Sequence, residues 1–290
     1  MMKILFSEEC LEYQYSGHPE SPERVLNTFE FLKQKGFEFV EPRPCSEKEL
    51  LLVHDKKFVE EIKSEKFSYI DSPALPGIYY YARLSAGSAV NAMEISLKNE
   101  KTFSLMRPPG HHAGRNGLTL GSMSLGFCYF NNIAIACKKA LKIVKKIAII
   151  DFDCHHGNGT QDIFIGCSNV LYVSLHKYPF YPGTGGISEK NCLNYPLSSE
   201  TTEEEYLETF EKALEKVKNF KPNLIAVSAG FDSHKEDDIT FNGLNLNYKS
   251  FRAIGELIKE LKKPSFAVLE GGYGKILSKS VYEFIVGYSD

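Results

Sequence analysis

The 290-residue sequence lacks several features that would point to whole classes of protein. No window offers ~18 uninterrupted apolar residues, so no membrane-spanning helix is expected. The opening stretch MMKILFSEECLEYQ places acids directly after a short apolar run, which is not the layout of a secretion signal. A formal net charge of -3 gives no electrostatic argument for a nucleic-acid or anionic-membrane partner. We therefore expect neither kind of partner.

The sequence also lacks a CxxC pair, although it contains seven cysteines. An odd number of unpaired cysteines in a chain of this length is typical of reduced packing residues, which indicates a cytoplasmic protein. The composition, 43% hydrophobic and 24% charged, is that of an ordinary globular protein. The cysteines are Cys10, Cys45, Cys128, Cys137, Cys154, Cys167 and Cys192.

Short apolar runs rich in β-branched residues alternate with amphipathic stretches along the whole chain. Strands are predicted near residue 4 and at 102–106, 146–151, 169–175, 223–229 and 265–270. Helices are predicted at 21–36, 201–220 and 247–263. This alternation predicts an α/β fold, a mainly parallel sheet with helices on both faces, and no linker divides residues 1–290 into two domains. Ligands of such folds bind beyond the carboxyl ends of the strands.

The segment DFDCHHGNGT, at 151–160, places several metal-binding residue types at the end of one predicted strand. Side chains of an extended strand alternate between its faces, so those of Asp151, Asp153 and His155 are predicted to point the same way. Asp232 follows another predicted strand in NLIAVSAGFD. Carboxylate oxygens and imidazole nitrogens suit zinc, and a catalytic zinc usually has three protein ligands. We predict a metal site at these strand ends; the alternative is an aspartate that caps the next helix.

Two further segments supply groups that could act on a substrate. His111 and His112, in RPPGHHAGRNG, are neighbours whose side chains diverge, so they could form a proton-transfer pair with different partners. Asp151 is a candidate partner for one of them. Tyr273, after two glycines in FAVLEGGYG, could donate a hydrogen bond to a developing oxyanion. The alternatives are surface histidines and a tyrosine of the core or rim.

Other loop segments contain aromatic, glycine and acidic residues whose roles are less specific. The segments LGFCYFNN and YPFYPGTGG could wall a narrow apolar slot, or they could serve ordinary loop packing. GTGG is too loose a pattern for a phosphate loop. Asp237 and Asp238 are expected to be solvated loop acids, and His156 is expected to be structural.

Taken together, these motifs resemble those of a known family. RPPGHHA, GFCYFNN, DFDCHHGNGTQ, YVSLHKY with PGTG, AGFDSH and LEGGY occur in the order found in zinc-dependent histone deacetylases and acetylpolyamine amidohydrolases. The resemblance extends from HPESPERV near residue 18 to residue 274. It implies the single-domain, three-layer arginase-like α/β fold and hydrolysis of acylated amines.

The resemblance also implies roles for single residues. It makes Asp153, His155 and Asp232 the zinc ligands. Tyr273 matches the tyrosine that polarises the acyl carbonyl and stabilises the tetrahedral oxyanion.

The catalytic histidines and their partners are implied in the same way. His111 and His112 match the catalytic pair, with His112 as the general base. Asp151 matches the acid that partners His111. Asn158 stands where some members have an aspartate beside the second histidine. Because asparagine carries no negative charge, His112 should be less easily protonated here than in those members.

A structural potassium ion and a substrate channel complete what the resemblance implies. Arg24 resembles an arginine of the family's internal cavity. The implied potassium site consists of the backbone carbonyls of Asp151, Asp153 and His155, together with Ser174 and Leu175. The implied channel residues are Phe127 and Tyr181 as aromatic walls, Asp71 as the acid that holds the substrate backbone, and Gly126, Ile239, Gly271 and Gly272.

Several alternatives remain open at this stage. A two-metal arginase-like hydrolase would need additional carboxylates, which the segment after His155 does not supply. A catalytically silent protein that binds acylated ligands would keep the same pocket. The substrate could be acetyl-lysine in proteins, a small acylated amine or an acetylpolyamine. Polyamine-selective relatives place a glutamate where this chain has Ile239, which mildly disfavours the last choice. The sequence does not indicate an oligomeric state.

Overall fold

The fold is built around one parallel sheet. Over residues 2–240 and 243–289, which the computed structural model describes, eight strands form the sheet in the order β2-β1-β3-β8-β7-β4-β5-β6. Every neighbouring pair is parallel. The strands are β1 Lys3–Leu5, β2 Glu38–Val40, β3 Thr102–Ser104, β4 Ile147–Asp151, β5 Val170–Lys177, β6 Cys192–Leu197, β7 Leu224–Ala229 and β8 Ser265–Leu269.

Helices connect most of the strands, as is usual for parallel pairing, whereas residues 178–191 join the parallel strands β5 and β6 without a helix. They are α1 Pro22–Gln34, α2 Glu47–Leu50, α3 Lys56–Ser64, α4 Ile78–Ser96, α5 Asn132–Ala140, α6 Asn158–Phe164, α7 Glu203–Phe220, α8 Tyr248–Lys259 and α9 Leu277–Tyr288. Short 3-10 helices lie at Glu8–Leu11 and Gly274–Ile276. Within the described ranges, none of the helices is long and apolar enough to cross a membrane.

The sheet is covered on both faces, and its central strands alternate between two hydrophobic clusters. In β4, Ala148 and Ile150 belong to one hydrophobic cluster, which includes residues of α1, α7, α8 and α9, whereas Ile147 and Ile149 belong to a second cluster, which includes residues of α3 to α6. All of these β4 side chains are fully buried. Alternate residues of this strand face opposite sides of the sheet, and both sides are covered, so each of these four residues is apolar. A continuous apolar run therefore predicts a strand with helices on both sides. The predicted three-layer α/β arrangement is confirmed.

The six predicted strands are confirmed, with ends that differ by a few residues, but two strands of the structure were not predicted. β2 and β6 lie at the two edges of the sheet and each pairs with one neighbour. β2 has only three residues, and β6 contains Pro196. Edge strands are half-covered and tolerate proline, so they lack the continuous apolar pattern of the centre.

The three predicted helices are confirmed as α1, α7 and α8. Thr202 begins α7 with a capping box, in which its hydroxyl accepts the N–H of Glu205 and the Glu205 carboxylate accepts the N–H of Thr202. Ser21 occupies the corresponding position before α1, but its side chain makes no capping hydrogen bond. There, Pro22 in the first turn supplies the start signal instead.

Candidate active site

The chemically active residue types gather at the carboxyl edge of the sheet. β4, β7 and β8 are adjacent strands, and their ends lead directly to the segments that carry Asp153, Asp232 and Tyr273. The loop after β3, next to β8, carries His111 and His112. Parallel strands deliver their carboxyl ends to one edge, so residues distant in sequence meet there.

Asp153, His155 and Asp232 form a cluster that could hold a metal ion. One ligand atom from each lies within 4.8 Å of the others. Nδ1 of His155 is 3.1 Å from Oδ1 of Asp153 and 2.8 Å from Oδ2 of Asp232. β4 ends at Asp151, so the turn after the strand, rather than strand alternation, brings Asp153 and His155 together.

The donor atoms of this cluster fit zinc. Oδ2 of Asp232 is buried and accepts no hydrogen bond within the described part of the chain, despite its closeness to His155. The remaining oxygens are satisfied, because Oδ2 of Asp153 accepts the N–H of Gly271 at 2.7 Å and Oδ1 of Asp232 accepts the N–H of Cys154 at 2.9 Å. Carboxylate oxygens and imidazole nitrogens are zinc ligands, and three protein ligands leave the fourth position of a catalytic zinc open.

The electrostatics of the cluster match a site for a cation. Burial opposes protonation of His155, but the negative charges of Asp232 and Asp153 outweigh it and raise its pKa to about 10. The two buried carboxylates therefore attract a positive charge, whether a proton or a metal ion, and a metal ion must displace that proton.

The adjacent histidines have different partners. Nδ1 of His111 lies 3.2 Å from Oδ2 of Asp151, and Nδ1 of His112 lies 2.8 Å from Oδ1 of Asn158. Burial lowers the pKa of His111, but the charges of Asp153 and Asp151 raise it to about 10. Burial and the positive charges of His111 and His155 hold the pKa of His112 well below its usual value. One ring is therefore poised to carry a proton and the other to accept one.

Two buried residues that the sequence did not single out support the histidine pair. Oε2 of Glu270 accepts the N–H groups of Gly110 at 2.7 Å and His111 at 3.2 Å. The hydroxyl of Tyr172 donates to Oδ2 of Asp151 at 2.9 Å. Glu270 lies in the LEGGY motif, and its position directly after a strand could have indicated a place at the site. Tyr172 lies inside a strand and gives no signal of its own.

Tyr273 lines the pocket and is held from several sides. Its backbone N–H donates to Oδ2 of Asp237 at 2.7 Å, and the guanidinium of Arg24 lies 4.5 Å from its ring centre. The prediction that Asp237 is a solvated loop acid is wrong, since it is only 4% exposed. The carboxylate is buried because backbone N–H groups of Ile239, Thr240 and Tyr273 surround it. Asp238 is exposed, as predicted.

The residues converge on a pocket of about 290 Å³. Phe127 and Tyr181 line it together with Phe180, which the sequence did not single out and whose ring stacks on His155 at 5.3 Å between centres. The other lining residues are Asp71, Pro109, His111, His112, Ser124, Gly126, Asp153, His155, Asp232, Ile239, Gly271 and Tyr273. Gly272 is not among them; its carbonyl accepts a hydrogen bond from Arg24 at 2.8 Å.

Several residues expected around the pocket have additional tasks. Both carboxylate oxygens of Asp71 accept backbone N–H groups, from Leu125 at 3.1 Å and Gly126 at 3.0 Å. Arg24 is buried, and besides Gly272 it donates to Glu20 and to the carbonyl of Glu270. Asp71 thus shapes the loop of the channel wall, and Arg24 fixes the backbone that leads to Tyr273.

The residues expected to bind potassium include Asp153 and His155 of the metal-capable cluster. Asp151 and Ser174 are register partners in β4 and β5. The Ser174 hydroxyl makes a 2.8 Å hydrogen bond with Nδ1 of His176. A potassium ion at Asp151, Asp153, His155, Ser174 and Leu175 stays a prediction. His156 is buried between Thr184 and Gln161, to which both of its ring nitrogens are bonded, as a structural residue would be.

Comparisons with known proteins agree with this geometry. Residues 18–287 match the model of the histone deacetylase domain. The chain is 39% identical over 297 residues to a protein of Archaeoglobus fulgidus named "Probable deacetylase", covering 93% of this chain and 80% of that protein. It is 34% identical over 287 residues to the "Histone deacetylase-like amidohydrolase" of Pseudomonas aeruginosa, covering 90% of this chain and 73% of that protein.

A solved structure shows the same architecture. An acetylpolyamine aminohydrolase from Burkholderia pseudomallei superposes with a TM-score of 0.87 at 25% identity, covering 99% of this chain and 98% of its own. The arginase-like α/β fold predicted from the sequence is therefore confirmed. With the domain match over nearly the whole chain, these findings show that the chain belongs to the histone deacetylase family.

Proposed function

We propose that the chain, over residues 1–290, is a single zinc-dependent catalytic domain that removes acetyl or other acyl groups from acylated amines. The observation that carries the proposal is the convergence of three groups on one pocket. These are the metal-capable cluster, the two differently partnered histidines and Tyr273. Amide hydrolysis needs these functions: a Lewis acid, a base, an acid and an oxyanion donor.

Asp153, His155 and Asp232 would hold the zinc. When bound, zinc polarises an acyl oxygen and makes water more acidic. Tyr273 lines the same pocket, and its hydroxyl would donate a hydrogen bond to the acyl oxygen as negative charge develops on it.

The histidines would move the protons. Asn158 accepts a hydrogen bond from Nδ1 of His112, so the other nitrogen, Nε2, is the basic one and would take the proton from attacking water. His111, which Asp151 holds in its protonated form, would stabilise the developing charge, and the pair would return a proton to the leaving amine.

The walls of the pocket favour a neutral, slender chain. Phe127, Phe180, Tyr181 and Ile239 supply apolar surface, which suits the methylene chain of an acyl-lysine. Among the described residues that line the pocket, Asp71 is the one carboxylate that does not belong to the metal-capable cluster. Its two oxygens already accept hydrogen bonds from backbone N–H groups. A distal ammonium of a polyamine would find little acidic surface there. We therefore propose acetyl-lysine in proteins or a small acylated amine as substrate.

An acetylpolyamine is the second candidate, because a polyamine-directed enzyme shares the fold over almost its whole length. The test is a rate comparison with zinc-loaded protein on acetyl-lysine peptides, longer-acyl peptides and acetylpolyamines. The highest kcat/KM on an acyl-lysine peptide or a small neutral acylated amine is expected. A higher value on acetylpolyamines would establish the second candidate instead.

Two further results, one from ligand binding and one from metal analysis, would reject a one-zinc deacylase altogether. Tight binding of acylated ligands without turnover by the zinc-loaded protein would indicate a silent binding protein. Two transition-metal ions per chain in the active protein would indicate arginase-like chemistry.

A further inference from the structure

Asp237 connects the pocket-lining tyrosine with the loop that follows the metal-capable cluster. Its Oδ2 accepts the N–H of Tyr273 at 2.7 Å. Its Oδ1 accepts the N–H groups of Ile239 at 2.9 Å and Thr240 at 3.2 Å. The hydroxyl of Thr240 in turn donates to the backbone carbonyl of Asp232 at 2.6 Å. One buried carboxylate therefore links the tyrosine, a pocket wall and a proposed metal ligand.

The backbone around Tyr273 has little stiffness of its own. Gly272 and Gly274 flank it with φ angles of 119° and 69°, in the region that glycine adopts most easily. Tyr273 itself is extended, with φ -135° and ψ 157°. Because the two neighbours restrain it weakly, contacts from outside the segment must set the direction of the tyrosine.

The hydroxyl of Tyr273 does not fix the side chain. None of the side-chain hydrogen bonds among the described residues involves this hydroxyl, and Tyr273 lines the pocket, so the hydroxyl can meet a substrate there. The ring is in contact with Arg24 on one side and lies edge-on to Phe127, with centres 5.8 Å apart. These contacts limit the ring, whereas the bond to Asp237 is the one that fixes the backbone N–H.

We propose that Asp237 is a positioning residue that holds Tyr273 where its hydroxyl can meet an acyl oxygen in the pocket. This inference rests on the proposed role of Tyr273 in deacylation. Through Thr240, Asp237 also keeps the tyrosine in a fixed position relative to Asp232, so the oxyanion donor and the metal-capable cluster share one frame.

Two variants break the link to Tyr273 and preserve the turn made by Asp237 itself. In Asp237→Asn, one oxygen can still accept the N–H groups of Ile239 and Thr240, but the amide nitrogen then faces the Tyr273 N–H. In Asp237→Ser, the hydroxyl can replace the local turn bonds but is too short to reach Tyr273. Asp238→Asn is the matched control, since it is an exposed acid of the same loop without a bond to the Tyr273 N–H.

The kinetic part of the test uses an acetyl-lysine peptide and the zinc-loaded enzyme. We expect both Asp237 variants to lower kcat by ~10- to 100-fold, as a reacting group displaced by up to about 1 Å does, with KM changed less than about threefold. In a Tyr273→Phe background the same substitutions should change kcat less than about twofold. A residue that only supports the fold would lower kcat by the same factor in both backgrounds.

The second part reads the tyrosine directly and does not depend on turnover. With 3-fluorotyrosine at position 273, the parent protein and Asp238→Asn should give one fluorine resonance, and both Asp237 variants a broadened or second one. If the parent hydrolyses no acyl substrate, the proposed function fails while the fluorine spectra still decide the positioning role. An unchanged resonance, a kcat within twofold of the parent, or an equal loss in the Phe background would overturn the inference. Unfolding of both variants would also overturn it, because it would assign Asp237 to the fold as a whole.

Discussion

A substitution at Asn158 tests the proposed role of His112 as the general base. Its Oδ1 lies 2.8 Å from Nδ1 of His112, and its Nδ2 donates to the carbonyl of Thr119 at 3.3 Å. Both side chains are buried. Burial and the nearby positive rings keep the pKa of His112 low, and nothing at position 158 offsets them with a negative charge. Asn158→Asp would place such a charge at nearly the same atom.

The size of the effect follows from the distance. Two unit charges 2.8 Å apart attract by about 6 kcal/mol at an effective dielectric constant of ~20. Desolvation of the new carboxylate offsets several kcal/mol of this. A net preference of about 1–4 kcal/mol for the protonated ring remains. We therefore expect the acidic limb of the pH–rate profile to move up by about 1–3 pH units.

The assay is kcat/KM between pH 5 and 9 for the parent, Asn158→Asp and Asn158→Ala. The aspartate variant should lose activity at neutral pH and regain it at higher pH, because His112 acts as a base only when unprotonated. Asn158→Ala removes a hydrogen bond that favours the charged ring, so its limb should stay or move down. Superimposable acidic limbs for the parent and a folded, zinc-loaded Asn158→Asp would refute the assignment of His112 as the base.

Three further outcomes follow from the site and the core. Tyr273→Phe should lower kcat by ~10²–10³, as loss of an oxyanion donor does; unchanged deacylation would contradict its role. Gly271→Ala should lower the zinc content measured by metal analysis, since the added Cβ would lie 2.6 Å from Oδ2 of Asp232, and full zinc loading would contradict that contact. His54 is buried and its pKa is lowered to about 4 by burial, below the usual ~6.5, so its contribution to stability is lost as pH falls from ~6.5 towards 4. Between pH 7 and pH 5, the free energy of unfolding measured in urea should therefore fall by about 2 kcal/mol less for His54→Asn than for the parent. Equal decreases would contradict this.

The sequence could predict the centre of the fold because the central strands have a strong local pattern. β4 is buried on both faces, and its continuous apolar run is visible without any partner. β6 has one neighbour and a proline, and its pairing with β5 is a long-range property that no local pattern encodes.

Some residues of the candidate site could likewise be predicted from the sequence, whereas others could not. Asp153, His155 and Asp232 could be proposed because chemically distinctive residues follow apolar strands, and parallel strands bring their ends to one edge. Asp237 was misjudged because its burial depends on Tyr273, 36 positions away in the chain. A carboxylate in a polar loop looks solvated until the backbone N–H groups that surround it are known.

Glu270 and Tyr172 illustrate a further limit. Each supports a histidine of the candidate site through a contact between separate segments of the chain, 160 positions apart for Glu270 with Gly110 and 21 for Tyr172 with Asp151. Residue type alone does not distinguish a tyrosine that holds a carboxylate from one that only fills space in a strand.

The central claim is that one zinc ion, held by Asp153, His155 and Asp232, makes this pocket a deacylase. The most direct measurement is release of acetate from an acetyl-lysine peptide by chelator-treated protein titrated with zinc. We predict no release without metal, a rise that saturates at about one zinc per chain, and no recovery for Asp232→Asn at the same zinc level. Acetate release that is undiminished by complete metal removal, or that needs a second equivalent of metal, would contradict the claim.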